Sequence, residues 1–271
     1  MSDAAGLARA PDGRTRLYWE STGDGPPVLL VMGLGLSGGA WWRTVPVLSR
    51  RLRVITFDAR GVGRSESPRQ NYTTEAMADD AVAVLDALDL EEAHVYGISL
   101  GGMVAQQLVL RHPRRVRSVV LGATSPGGPR AARPDRDVLA FFSRRAGMEM
   151  EEGAWASVPY NYSERCRTEH VDRIAEDIEY RLTNPFNEQA YRAQLYAAVM
   201  HNCYGRLGRI EVPTFVVHGQ NDRMIPVENA YMLAERIPNC RLEVLEESGH
   251  LYPTEEPAAD KAIGEFFRSC S

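Results

Sequence analysis

The stretch Gly97-Ile98-Ser99-Leu100-Gly101-Gly102 decides how this chain is interpreted. It lies between an apolar run at 93–96 and an amphipathic stretch at 103–110, an order that predicts a strand, a sharp turn and a helix. In the pattern G-x-S-x-G, the glycines permit a turn that forces the serine into an unfavourable backbone conformation. The serine hydroxyl is then exposed at a helix N-terminus, which favours negative charge. Ser99 is therefore a candidate nucleophile if suitable partners follow in the chain.

Apolar runs on both sides of this turn predict a mostly parallel sheet. A first strand is expected at 16–20, and buried strands are expected at 28–32, 53–57, 93–96, 116–121, 212–219 and 241–245. Helical patterns alternate with these runs, including one from Thr74 to Leu90 in which Thr74 is the candidate N-cap. The alternation predicts an α/β protein with a doubly wound sheet, whose ligand sites lie at the carboxyl ends of the strands.

The pattern changes at Thr124, where helical periodicity without β-branched runs begins. Helices are expected at 137–146, 164–182 and 187–200. A helical insertion between strands of a parallel sheet is placed to cover the strand ends. We therefore predict a core domain of residues 1–125 and 208–271 and a helical cap of residues 126–207. Four candidates for the substrate pocket are Met103, Trp155, Tyr160 and His201.

Two polar residues follow later strands and complete a catalytic constellation with Ser99. A serine hydroxyl is a weak nucleophile at neutral pH, so it needs a base within hydrogen-bond reach and a group that orients that base. His250 follows the last predicted strand beside Gly249, and Asp222 follows the strand before it. Both therefore lie on the same edge of the sheet as Ser99. We predict that His250 is the base and that Asp222 orients it.

Two glycine-rich loops have less specific chemistry. The loop at 33–39 lacks the pattern of a phosphate-binding loop, and its glycines instead allow backbone N–H groups to face a ligand oxygen beside Ser99. The loop at 58–65 contains Asp58, for which a structural role is favoured over a catalytic one, because charged side chains in such turns usually satisfy backbone groups. Structural roles are also favoured for His94, His112 and His218.

The motifs taken together resemble those of the α/β-hydrolase fold enzymes over nearly the whole chain. They are M-G-L-G at 32–35, D-A-R-G-V-G-R-S at 58–65, Y-G-I-S-L-G-G-M at 96–103, H-G-Q-N-D-R-M-I-P at 218–226 and S-G-H at 248–250. The resemblance implies the α/β-hydrolase fold, with a mostly parallel eight-stranded sheet flanked by helices, and a serine hydrolase with a helical cap. The sequence is similar to those of bacterial esterases and lactonases, such as enol-lactone and acyl-homoserine-lactone hydrolases.

The resemblance also implies the groups that stabilise the reaction intermediate. The family often has His-Gly where this chain has Met32-Gly33, but backbone donors do not depend on the side chain. The N–H groups of Leu34 and Leu100 are therefore expected to form the oxyanion hole. We expect hydrolysis of an ester or lactone through an acyl-enzyme on Ser99, with no metal or cofactor.

Composition excludes several other classes. The chain has 271 residues, a net charge of −5 and no basic stripe, which argues against nucleic acid as a partner. It has no long apolar run and no signal-peptide pattern, so a cytoplasmic protein without membrane association is expected. The cap is rich in aromatic and sulfur-containing residues, which indicates a small-molecule substrate with an apolar part. The oligomeric state is left open.

Other functions remain open because the same three residues serve several reactions. Cofactor-free haloperoxidases (perhydrolases), carbon–carbon bond hydrolases and acyltransferases use such a triad. A ligand receptor without turnover is an alternative of another class, which an intact triad disfavours. Dehalogenation is not expected, because on this fold it uses an aspartate at the position of Ser99.

Overall fold

One sheet organises the protein. The computed structural model describes residues 3–145, 147–184 and 187–270. Within them the strands are β1 (Ala4–Arg9), β2 (Arg16–Thr22), β3 (Pro27–Val31), β4 (Arg53–Phe57), β5 (Ala93–Ile98), β6 (Val116–Gly122), β7 (Thr214–Gly219) and β8 (Cys240–Leu245). The spatial order of the eight strands is β1-β2-β4-β3-β5-β6-β7-β8. The pairs β1–β2 and β2–β4 are antiparallel, and the other pairs are parallel.

Helices connect the strands and cover both faces of the sheet. Those outside the segment between β6 and β7 are α1 (Val45–Leu48), α2 (Thr74–Ala87), α3 (Leu100–Arg111), α10 (Glu228–Arg236), α11 (Tyr252–Glu255) and α12 (Ala258–Ser269). The apolar cluster on one face of the sheet includes side chains of α2, α3 and α10, and the cluster on the other face includes side chains of α1 and α12. All six residues of β5 are buried between these layers. This architecture confirms the predicted fold.

The segment between β6 and β7 is helical, as predicted. Its helices are α4 (Arg136–Arg145), α5 (Met150–Ala156), α6 (Val158–Asn161), α7 (Glu164–Glu169), α8 (Val171–Thr183) and α9 (Glu188–Met200), followed by a 3₁₀ helix at Tyr204–Arg209. A small apolar cluster within this segment contains Tyr162, Cys166, Ile174 and Ile178. We call residues 126–207 the insertion, and its boundaries as a separate cap domain stay a prediction.

Three details of the sequence prediction are corrected. Strand β1 was not expected, because its alanines and glycine have low strand propensity and the strand is held by backbone pairing with β2. The helix expected at 164–182 is two helices that change direction at His170 and pack on the same apolar cluster. The N-cap of α2 is Thr73, whose hydroxyl accepts from the Ala76 N–H, and not Thr74. Ala146, the expected end of another helix, lies outside the described residues.

Within the described ranges, no helix combines the length and the apolar content that crossing a bilayer requires.

Candidate active site

The turn after β5 holds Ser99 in a strained backbone conformation. Ser99 has φ 56° and ψ −121°, a region that costs a non-glycine residue about 1–3 kcal/mol. A Cβ at position 97 would overlap the Gly101 carbonyl, and a Cβ at position 101 would overlap the Val31 carbonyl. The glycines of the motif are therefore required by close backbone contacts, and not only by flexibility.

Hydrogen bonds from neighbouring elements maintain this strained turn. The Ser99 N–H donates to the Gly122 carbonyl at 2.9 Å, and the Ser99 carbonyl accepts from the Thr124 hydroxyl at 2.7 Å. The same carbonyl accepts from the Gly102 and Met103 N–H groups as α3 begins. The Ser99 side chain is left at the surface of the turn, and the residue is partly exposed.

The structure brings Ser99, His250 and Asp222 together. His250 Nε2 lies 3.1 Å from Ser99 Oγ, and His250 Nδ1 lies 2.7 Å from Asp222 Oδ2. An ionised carboxylate only accepts hydrogen bonds, so Nδ1 carries the hydrogen and Nε2 is left to accept the Ser99 hydroxyl. His250 and Asp222 are buried, with 6% and 5% of their surface exposed. The three side chains therefore form a continuous hydrogen-bond chain, and Ser99 is its solvent-accessible end.

Asp222 remains ionised although it is buried. Burial alone raises its pKa, but the charge of His250 and hydrogen bonds from His218 and His250 outweigh burial and lower the pKa of Asp222 to about 2. The Met224 and Ile225 N–H groups also donate to Oδ1, at 2.9 and 2.8 Å. These four donors fix both oxygens of the carboxylate.

His218 was interpreted from the sequence as a structural residue of a strand, and it does lie in β7. Its Nε2 is 3.2 Å from Asp222 Oδ2 and 2.8 Å from the Ile225 carbonyl oxygen. Both neighbours accept hydrogen bonds, so Nε2 carries the hydrogen. The only sequence signal for this contact is the spacing of four residues between His218 and Asp222.

The loop after β3 passes beside the Ser99 side chain. A Cβ at Gly33 would lie 3.2 Å from Ser99 Cβ and 3.8 Å from Ser99 Oγ. Within the described residues, the N–H groups of Leu34 and Leu100 donate to no protein acceptor. Both donors therefore remain available, and their role as an oxyanion hole stays a prediction.

Asp58 holds the loop at 33–39 to the loop at 58–65. Its Oδ1 accepts from the Gly38 N–H and its Oδ2 accepts from the Arg64 N–H, both at 2.8 Å. Its side chain is buried, and both oxygens satisfy backbone donors. These contacts agree with the structural role favoured from the sequence.

The four candidates for the substrate pocket occupy different environments. Met103 packs into the main apolar cluster, and Trp155 is 46% exposed on α5. The Tyr160 ring stacks on Phe141 with centroids 4.6 Å apart. His201 is buried, its Nδ1 lies 3.1 Å from the Thr74 hydroxyl, and burial lowers its pKa to about 3. Their role in a substrate pocket stays a prediction.

A small cavity lined by chain neighbours of Gly33, Ser99 and His250 was missed by the sequence interpretation. Its volume is about 60 Å³, and Met32, Ile98 and Leu251 line it next to Gly33, Ser99 and His250 in the chain. The remaining wall is formed by residues of the 36–44 loop, of α8 and of the turn after His250: Leu36, Ala40, Trp41, Trp42, Arg43, Thr44, Asp177, Tyr180, Arg181, Pro253 and Thr254. A larger groove of about 600 Å³ is lined in part by Asp222, and neither Ser99 nor His250 lines this groove or the small cavity.

The fold is that of a known class of protein. The chain belongs to the α/β-hydrolase fold family, which matches residues 26–257. RutD of Agrobacterium fabrum, a protein named for carbamate hydrolysis, is 30% identical over 244 residues, which cover 89% of this chain and 92% of that protein. The resemblance seen in the sequence motifs is confirmed, and the protein is a hydrolase.

Solved structures agree with this assignment. A thermophilic esterase from Thermogutta terrifontis is 28% identical with a TM-score of 0.83, covering 98% of this chain and 99% of that one. The enol-lactonase from Burkholderia xenovorans is 24% identical with a TM-score of 0.84, covering 96% of this chain and 99% of that one. The second likeness shows the fold alone.

Proposed function

We propose that this hydrolase cleaves carboxylic esters or lactones through an acyl-enzyme on Ser99. The observation that carries the proposal is the hydrogen-bond chain from Ser99 Oγ through His250 to Asp222, with distances of 3.1 and 2.7 Å. Such a chain activates a hydroxyl as a nucleophile, because the base is within reach of the proton and is oriented by the carboxylate.

The reaction begins when Ser99 Oγ attacks the substrate carbonyl carbon and its proton passes to His250 Nε2. The N–H groups of Leu34 and Leu100 stabilise the resulting oxyanion, and losing one such donor costs about 3–4 kcal/mol of activation free energy. His250 then gives the proton to the leaving alcohol, whose bond to the carbonyl carbon breaks. In a lactone, this alcohol stays attached to the acyl group.

Water completes the turnover. His250 takes a proton from a water molecule, whose oxygen attacks the acyl-enzyme, and the bond from the carbonyl carbon to Ser99 Oγ then breaks. The proton returns to Oγ, which releases the acid and restores the starting state. Throughout, Asp222 stays ionised and stabilises the positive charge on the His250 ring.

The small cavity beside Ser99 suggests the size of the group that the site takes. The cavity of about 60 Å³ is far smaller than the roughly 300–1,000 Å³ of a site for a drug-sized ligand, so it suits a small group. Met32, Ile98 and Leu251 contribute apolar side chains to its lining. We therefore propose a small-molecule substrate with a short apolar acyl group, and we do not favour long-chain acyl-homoserine lactones.

Active-site labelling tests the proposal. We expect a fluorophosphonate to add once to the wild type, as measured by intact mass, and to leave Ser99→Ala and His250→Ala unlabelled. Hydrolysis rates on short esters and lactones then identify the preferred class. A wild type that is neither labelled nor active, or a Ser99→Ala variant that keeps most of its ester turnover, would refute the proposal.

Carbamate hydrolysis is a second candidate, because relatives such as RutD of Agrobacterium fabrum are named for it. The same nucleophile and base apply, but the leaving group is an amine or ammonia, or the acyl-enzyme is a carbamoyl group. A short carbamate in the substrate panel separates the two, since preferential turnover of the carbamate over a matched ester favours this candidate.

A further inference from the structure

The two glycine-rich loops of the sequence, 33–39 and 58–65, are the surface on which helix α9 of the insertion lies. Gly35 has φ +71°, and a Cβ there would lie 2.6 Å from the Tyr191 ring. A Cβ at Gly61 would overlap the Ala190 methyl group. The absence of side chains at Gly35 and Gly61 thus allows α9 to approach the backbone of both loops.

One buried side chain of α9 connects these loops. Gln194 is 1% exposed, and its Oε1 accepts from the Gly35 N–H at 3.0 Å. Its Nε2 donates to the Arg60 carbonyl oxygen, also at 3.0 Å. A primary amide is suited to this place because one end must accept and the other must donate.

The second contact of Gln194 is a rigid one. The Arg60 guanidinium donates from Nε and Nη2 to the two oxygens of Asp80 on α2, each at 2.6 Å, and both side chains are buried. Gln194 therefore joins the loop at 33–39 to the backbone of Arg60, whose side chain is held by a buried ion pair.

The first contact of Gln194 lies one peptide from a predicted oxyanion donor. The Gly35 N–H and the Leu34 N–H belong to consecutive peptide groups, and because each group is planar, holding the Gly35 N–H fixes the position of the Leu34 Cα at which the two groups meet. We propose that Gln194 is a positioning residue: through it, the insertion orients the Leu34 N–H toward the oxyanion. This inference rests on the proposed function, because it assumes an oxyanion formed at Ser99.

The test compares Gln194→Met, which keeps the length of the side chain and removes both hydrogen bonds, with Gln107→Met as the matched control. Gln107 is also buried and uses both ends of its amide, donating to Glu75 at 2.8 Å and accepting from Arg206 at 3.3 Å, away from the loop beside Ser99. Both variants are assayed with p-nitrophenyl acetate, and Tm is measured for each.

Loss of an oxyanion donor lowers kcat by about 10²–10³, and a misoriented donor gives part of that loss. We expect kcat of Gln194→Met to fall by about 10–100-fold while KM changes less than about threefold. The inhibition constant of a trifluoromethyl ketone, which forms a tetrahedral oxyanion adduct on Ser99, should rise by the same factor as kcat/KM falls. Gln107→Met should keep the wild-type kcat.

Several outcomes would overturn the inference. If Gln194→Met has a lower Tm but, like Gln107→Met, keeps the wild-type kcat and ketone affinity, Gln194 has a structural role only. If Gln194→Met does not fold, Gln194→Glu is assayed across pH instead, because its protonated carboxyl can make both hydrogen bonds and its ionised form cannot donate to the Arg60 carbonyl oxygen. Its kcat and its ketone affinity, relative to those of the wild type, should fall together as the introduced carboxyl ionises. A kcat ratio that does not change with pH, or a fall in kcat with unchanged ketone affinity, counts against the inference. A wild type that neither hydrolyses the ester nor reacts with a fluorophosphonate refutes the proposed function, and this inference falls with it.

Discussion

The substitution Asp222→Asn is expected to remove almost all activity without unfolding the protein, by placing the His250 hydrogen on the wrong nitrogen. In the wild type, Asp222 Oδ1 accepts from the Met224 and Ile225 N–H groups, and Oδ2 accepts from His250 and His218. An asparagine has one oxygen and one NH₂ group to share between these two sides.

The backbone donors decide which way the new amide points. If the NH₂ group faced Met224 and Ile225, the N–H groups of both residues, which lie in a partly buried turn, would lose their acceptor. The oxygen therefore stays on that side, because on the other side His218 keeps the Ile225 carbonyl oxygen as its acceptor and His250 can move its hydrogen to Nε2. The NH₂ group then faces His250 Nδ1, which must accept, so the hydrogen moves to Nε2. His250 donates to Ser99 in this state and is no longer a base.

The expected loss is about 10⁴-fold in kcat, the size seen when a triad aspartate becomes an asparagine elsewhere, or about 5 kcal/mol of activation free energy. Initial rates on p-nitrophenyl acetate and the rate of fluorophosphonate labelling should fall together. Asp260→Asn is the matched control, since Asp260 is also a buried aspartate but lies on α12, and its kcat should be unchanged. A folded Asp222→Asn that keeps more than about a tenth of the wild-type kcat would refute the reasoning.

Three further results are expected. Across p-nitrophenyl esters, kcat/KM should rise by about fourfold per methylene from acetate to butyrate and then stop rising, because longer chains exceed the cavity; a continued rise to octanoate would contradict this. Gly101→Ala should lower the free energy of unfolding by about 2–4 kcal/mol and reduce activity, because a Cβ there overlaps the Val31 carbonyl. Gly205→Ala is the control: a Cβ at Gly205 meets nothing within 4 Å, so urea unfolding and ester assays should show no change. Burial raises the pKa of Asp260 from 3.8 to about 7, so wild-type stability decreases as pH rises through that range. The difference in free energy of unfolding, Asp260→Asn minus wild type, should therefore increase by about 2–3 kcal/mol between pH 5 and pH 8. The same difference at pH 5 and at pH 8 would show that Asp260 is ionised in the folded state.

The sequence predicted the parts of the site that depend on short-range patterns. Ser99 was recognisable because the strained turn imposes glycines at fixed positions around it. Asp222 and His250 were recognisable because each follows a buried strand, and parallel strands end at one edge of the sheet. The structure places all three within hydrogen-bond distance of their neighbours in the chain of contacts.

The small cavity could not be predicted from the sequence, because it depends on the directions of the helices in the insertion. Tyr180 and Asp177 line the cavity from α8, whose direction is set by the break at His170. No glycine or proline marks that break, so periodicity alone predicted one continuous helix. Trp155, chosen for its aromatic side chain, lies on another helix and is half exposed.

The two halves of the site differ in what fixes them. The Asp222 carboxylate is oriented by N–H groups two and three residues away in its own turn, so its geometry follows from local sequence. The loop beside Ser99 is held from the insertion instead, by Gln194 on Gly35 and by the Tyr180 hydroxyl on Ser37, across separations of 159 and 143 residues. The turn that follows His250 is also held from the insertion, since the Leu251 N–H donates to the Asn161 carbonyl oxygen at 3.0 Å and the Ser163 hydroxyl donates to Glu255. We therefore expect a displaced insertion to release both the loop that carries the Leu34 N–H and the turn that carries His250, and so to lower kcat.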